Sequence, residues 1–155
     1  MPVAKLKEFL DANRVAYDTI PHTTAFTTQE VAAAAHIPGR EVAKTVMVKV
    51  DDAMAMVVLP APRQVDLGRL KEVTGADIIE LASEAEFGDL FPNCEPGAMP
   101  PFGNLWDMQV FVDQRLREDE RIAFNAGTHT ELVRMSYGDF ERLVGPVVAE
   151  LSAGR

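Results

Sequence analysis

Thr45-Val46-Met47-Val48-Lys49-Val50-Asp51-Asp52-Ala53-Met54-Ala55-Met56-Val57-Val58-Leu59 is the stretch that decides the fold. Both arms are rich in β-branched and other apolar residues, and the acidic pair Asp51-Asp52 between them suits a tight turn. The reading is a hairpin of strands 45–50 and 53–59, placed centrally in a sheet. The apolar run 53–61 is interrupted by Pro60 and is far shorter than the roughly 20 residues that cross a bilayer. No membrane span is expected.

Working upstream, Thr27 followed three residues later by Glu30 is a capping-box signature. It opens a helix through Val31 and Ala35, stopped by Pro38-Gly39, with 21–26 as a connecting loop. Residues 15–20 read as a short strand closed by Pro21, which has no N–H for a ladder. Val3, Leu6, Phe9 and Leu10 line one face of a first helix ending near Asn13. Downstream, Leu67, Leu70 and Val73 predict a helix, 78–81 a short strand, and Ser83 with Glu86 a second capping box. Residues 91–103 hold four prolines and two glycines, which excludes regular structure and predicts an ordered loop. Three more strands, 107–112, 121–125 and 130–135, precede a last helix capped by Ser136 with Asp139. With no repeat or linker, residues 1–155 read as one α+β domain, its mixed, mostly antiparallel sheet flanked by short helices.

Composition narrows the function. The 155 residues are 47% hydrophobic, enough for one core. The net charge of −9 argues against a broad grip on duplex DNA and leaves room only for a local basic patch. Arg40, Lys44, Lys49 and Arg63 are the expected positive mouth. A single cysteine, Cys94, forbids an intrachain disulfide and a cysteine-pair zinc site. The N-terminal stretch carries charges at helical spacing rather than a secretory signal, so the cytoplasm is the expected compartment.

Nucleophile elbows, Walker loops, dinucleotide fingerprints and His-Glu-x-x-His are missing. His22, His36, His129 and Cys94 show no ligand spacing, so neither metal nor cofactor is expected, and Cys94 reads as a small buried thiol. Three features remain. In Glu95-Pro96-Gly97-Ala98-Met99-Pro100-Pro101-Phe102-Gly103, Gly97 can take a positive φ and Pro100-Pro101 stiffens the chain. Such a loop is either a packed crossover or a rigid cradle of backbone groups. Lys44 is either an exposed strand-end lysine or a cation that holds a phosphate. His129 is either a solvent-facing turn residue or a donor to a substrate oxygen.

The succession Val42-Ala43-Lys44-Thr45-Val46-Met47-Val48, then Gly97-Ala98-Met99-Pro100-Pro101-Phe102-Gly103, then Ile122-Ala123-Phe124-Asn125-Ala126-Gly127-Thr128-His129 resembles the YbaK-type aminoacyl-tRNA deacylases. These are relatives of the editing domain inserted in bacterial prolyl-tRNA synthetases. The resemblance implies hydrolysis of the ester between a wrong amino acid and the tRNA 3′ end, with no metal and no covalent enzyme intermediate. It implies that Lys44 engages the terminal adenosine and its phosphate, and that Gly97, Ala98, Met99, Pro100 and Pro101 position ester and water. Thr45, Phe102, Gly103, Gly127 and His129 would bind substrate. The implied partners are the tRNA acceptor end and an aminoacyl-tRNA synthetase, and the narrow loop implies a small rejected amino acid. A non-catalytic nucleotide- or protein-binding module, or a hydrolase of another small ester or amide, are the alternatives.

Overall fold

Asp51 and Asp52 both lie in the left-handed region, with φ of 47° and 70°. That is the turn geometry that matches the twist of a two-residue hairpin. It joins β2 (Ala43–Val50) to β3 (Ala53–Pro60) in one register from Val50 opposite Ala53 to Ala43 opposite Pro60. The Asp51 carboxylate also accepts the N–H groups of Asp77 and Ile78, so the turn anchors the approach to the next strand. The computed structural model describes residues 3–25 and 27–154. The loop expected over 21–26 includes Phe26, which lies outside the described residues.

Around the hairpin the order is α1 (Ala4–Ala12), β1 (Tyr17–Pro21), α2 (Thr28–Ala35), the hairpin, β4 (Gln64–Val65), α3 (Leu67–Thr74), β5 (Ile79–Leu81) and α4 (Glu84–Phe87). There follow β6 (Gln109–Asp113), β7 (Arg121–Asn125), β8 (Glu131–Ser136), α5 (Tyr137–Val144), β9 (Val147–Ala149) and β10 (Ser152–Ala153). One five-stranded sheet has the order β5-β2-β3-β6-β9, antiparallel around the hairpin and parallel through β6 and β9. A three-stranded antiparallel sheet, β1-β8-β7, touches it through a single parallel bridge between Val42 and Ala123. The α+β class with mixed, mostly antiparallel pairing is therefore observed, divided over three sheets rather than one.

The hairpin is buried on both faces. Ala43, Met47, Met56 and Val58 pack with Met99, Phe102, Phe124 and Phe140, while Val48, Ala55, Val57 and Leu59 pack with Leu70, Phe111 and Leu151. This double burial explains why β3 reads as a continuous apolar run instead of an alternating one. Both capping boxes form. Pro21 does not close β1 from outside. It forms the last rung opposite Glu131, tolerated because β1 is an edge strand. Likewise α2 stops at His36, left-handed at φ 59°, before Pro38-Gly39 is reached.

Among the described residues no helix is long and apolar enough to cross a membrane.

Candidate functional site

The prolines and glycine of 95–98 fold as a turn. Ala98 N–H donates to the Glu95 carbonyl at 3.0 Å, Pro96 fills the second position, and Gly97 has φ +81° in the third. A positive φ there is what a type II turn demands. Glu95 N–H donates to the Gly127 carbonyl (2.7 Å) and Gly127 N–H to the Ala98 carbonyl (2.8 Å), so the loop is clamped to the turn that follows β7. A second clamp comes from Glu95, whose carboxylate accepts His129 N–H at 2.6 Å. His129 Nε2 lies 2.7 Å from the Pro96 carbonyl. A carbonyl only accepts, so that nitrogen carries a proton.

These contacts decide between the two readings of His129's exposure. His129 is only 6% exposed and packs against Gly97, where an added Cβ would stand 3.7 Å from its Cε1. It is not a solvent-facing turn residue. The loop packs as a crossover: Gly97 is exposed, whereas Ala98, Met99, Pro100, Pro101, Phe102 and Gly103 are all buried. Phe102 sits among Phe9, Phe124 and Phe140, so its ring supports the loop from beneath and is not available to face a ligand. An added Cβ at Gly103 would meet Val110 Cγ2 at 2.8 Å, so this glycine is needed for close packing. Among the described residues the N–H groups of Gly97 and Met99 donate to none.

Gly127 is the hinge of the clamp. Its φ is +113°, and a Cβ would come within 3.2 Å of Val3 Cβ, held there by the bond from Val3 N–H to the Ala126 carbonyl. Gly127→Ala is expected to cost about 1–3 kcal/mol through backbone strain. Chemical denaturation checks this, and a variant as stable as the wild type would mean that the turn relaxes freely.

Lys44 lies on β2 opposite Leu59. It is half-buried, and burial alone pulls its ammonium pKa below the usual lysine value. Among the described residues it has neither an ion pair nor a hydrogen bond. Thr45 points to the opposite face of the strand. On the Lys44 face, Val42 packs with Ala25, Ala123 and Leu132, and Ala25 N–H donates to the His129 carbonyl. Gly97, Ala98, Gly127 and His129 thus come together directly, while the link to β2 runs through Val42 and Ala25. The edge of β2 beside it is open: β5 pairs only with residues 48–50, and β7 bridges only at Val42.

The expected positive mouth is corrected. Lys49 is held by Glu86 and Glu80, and its hydrogen bond pulls the Glu86 carboxyl down to about 2. Arg63 spends its guanidinium on Ser152 and the Gly154 carbonyl, fastening the C-terminal strand. Arg40, with a long contact to Glu41 at 3.7 Å, and Lys44 remain. Burial raises the Cys94 thiol to about 11, so it is protonated at neutral pH and is no nucleophile. Sequence reasoning overlooked Glu95 and Asn125. The first was legible only as part of a turn, and the second as the polar end of an apolar strand.

Comparison with known proteins speaks to family and fold. Over 85 residues the chain is 33% identical to proline--tRNA ligase of Bacillus cereus (strain AH187), covering 55% of this chain and 15% of that protein. It is 35% identical over 85 residues to the corresponding ligase of Bacillus cytotoxicus, with the same coverage. The chain thus matches a small part of those ligases. Hypothetical protein APE2540 superposes with a TM-score of 0.87 at 23% identity, over 96% of this chain and 99% of that one. A candidate trans-editing enzyme for prolyl tRNA synthetase superposes at 0.82 and 20%, over 97% and 96%. At those identities the likeness establishes the fold. The aminoacyl-tRNA editing domain model matches residues 22–143, a span that holds β2, the clamped loop and the turn at His129, and the chain belongs to that family.

Proposed function

We propose that this protein is a free-standing deacylase that hydrolyses the ester of tRNA mischarged with a small amino acid. The observations that support the reading are the clamp between Gly97–Ala98 and Gly127–His129 and, on β2, an unpaired, half-buried Lys44. Lys44 meets the phosphate of the terminal adenosine, a charge-assisted contact made stronger by partial burial. The amides of Gly97 and Met99 face the ester oxygen, where negative charge develops as water attacks. His129 holds Pro96, and through it the Gly97 turn, in place. The clamp supplies fixed dipoles rather than a nucleophile, which suits an already reactive ester whose hydrolysis gains most from orientation.

The loop that receives the aminoacyl group is rigid, since 98–103 is packed in the core, so exclusion of large side chains is steric. One methylene is worth about 1–3 kcal/mol in such a site, so discrimination is graded. The test is a panel of mischarged tRNAs, scored for release of each amino acid. Release of alanine, serine or threonine is expected. Efficient release of phenylalanine or tyrosine overturns the pocket, and release of none overturns the activity in favour of a binding module.

Of the four expected cations only Lys44 and Arg40 escape a close ion pair or hydrogen bond, so the site neutralises few phosphates. The logarithm of affinity should then fall with that of salt at a slope of about −1 to −3. A synthetase partner would supply the remaining tRNA contacts.

A further inference from the structure

Resting on the editing reading, we propose that Asn125 recognises the aminoacyl group, its side-chain carbonyl accepting a hydrogen bond from the substrate's α-ammonium. Asn125 ends β7 and is only 7% exposed, yet its Oδ1 finds no hydrogen-bond partner. Buried side-chain acceptors are nearly always satisfied, so one left open beside a candidate site points to a ligand donor.

Its position supports that assignment. The bridge between Val42 and Ala123 is parallel, and both residues pack in one cluster. Two residues further along each strand, on the same face, stand Lys44 and Asn125. There the edge of β2 is open, since β5 pairs only with 48–50. Asn125 also leads directly into the turn that carries Gly127 and His129, which holds the Gly97 loop.

The chemistry of the pair is complementary to an aminoacylated adenosine. Lys44, a donor with positive charge, suits the phosphate end. Asn125 offers a neutral acceptor to the cationic end. A carboxylate at 125 would instead pair with Lys44 and withdraw it from phosphate, so an amide is the residue type that serves both ends of the substrate.

The experiment compares two non-hydrolysable 3′-amide analogues of aminoacyl-adenosine that keep the 5′-phosphate, one alanyl and one propionyl. They differ only in the α-amino group, which is protonated at pH 6.5. Wild-type protein should bind the alanyl analogue at least tenfold more tightly. Asn125→Leu, similar in volume but without an acceptor, should abolish that preference. Lys44→Met should weaken both analogues and keep it. If Asn125→Leu does not fold, Asn125→Ala, with its fold verified by circular dichroism, gives the same comparison. A preference that survives in the Asn125 variant, or is missing in the wild type, overturns the assignment even where mischarged tRNA is hydrolysed. Conversely, an Asn125-dependent preference without hydrolysis of any mischarged tRNA supports the assignment and overturns the deacylase reading.

Discussion

Lys44→Ala is expected to lower single-turnover hydrolysis of the best mischarged tRNA by about tenfold to a hundredfold. The estimate is the loss of a charge-assisted contact worth about 1.5–3 kcal/mol, with each 1.4 kcal/mol a factor of ten. The fold should not suffer. Burial depresses the Lys44 pKa in the folded state, so the unfolded chain binds this proton more readily than the folded one. The folded protein therefore carries a desolvation cost at neutral pH, relieved as pH rises from the depressed value through the usual lysine range. An apolar replacement such as Lys44→Met removes that cost at neutral pH, and its melting temperature should equal or slightly exceed that of the wild type. Loss of activity with retained stability marks a functional cation held at structural expense. An unchanged hydrolysis rate removes Lys44 from the site.

Phe102→Ala is expected to have the largest effect on stability. The ring is fully buried and makes edge or tilted contacts with Phe9, Phe124 and Phe140 at centroid distances of 6.1, 5.5 and 5.4 Å. Truncating such a ring costs about 3–5 kcal/mol. For a chain of this size that lowers the melting temperature by roughly 6–20 °C. The same change loosens the floor under Pro100 and Pro101 through the lost ring packing alone, since the backbone bond from residue 102 N–H to the Pro100 carbonyl at 2.8 Å is open to alanine as well. Calorimetry measures the first consequence, and hydrolysis by the still-folded fraction the second. Near-wild-type stability would mean that the aromatic cluster repacks without this ring.

Much of the local structure was legible because it depends on neighbours in sequence. The capping boxes at Thr27 and Ser83 form from residues three apart, and Asp51-Asp52 makes its turn from its own backbone preferences. The short pairings of β4 with β10 and of β6 with β9 were not legible. They are two or three residues long and joined across distant chain segments. What secures the C-terminal one is Asp113, buried and accepting both Leu151 N–H and Ser152 Oγ–H. No periodicity records such a contact. The candidate site divides in the same way. Gly97 and the prolines announced a rigid turn, but the burial of Phe102 and the clamp by Glu95 depend on β7 arriving beside the loop.

By itself the sequence determined the two-stranded hairpin, the helix starts, the stiff loop at 95–101 and the absence of the usual side-chain nucleophile motifs. Each follows from local sterics, capping or composition. Tertiary structure alone decided which cations stay free. Lys49 and Arg63 look equivalent to Lys44 in the chain, yet Glu86 and Ser152 engage them across 37 and 89 residues. Tertiary structure also turned His129 inward and bridged Val42 to Ala123, two residues before Lys44 and Asn125. The physical reason is that charge pairing and burial are properties of approach in space. Residues far apart in sequence acquire them only when the sheets close on one another.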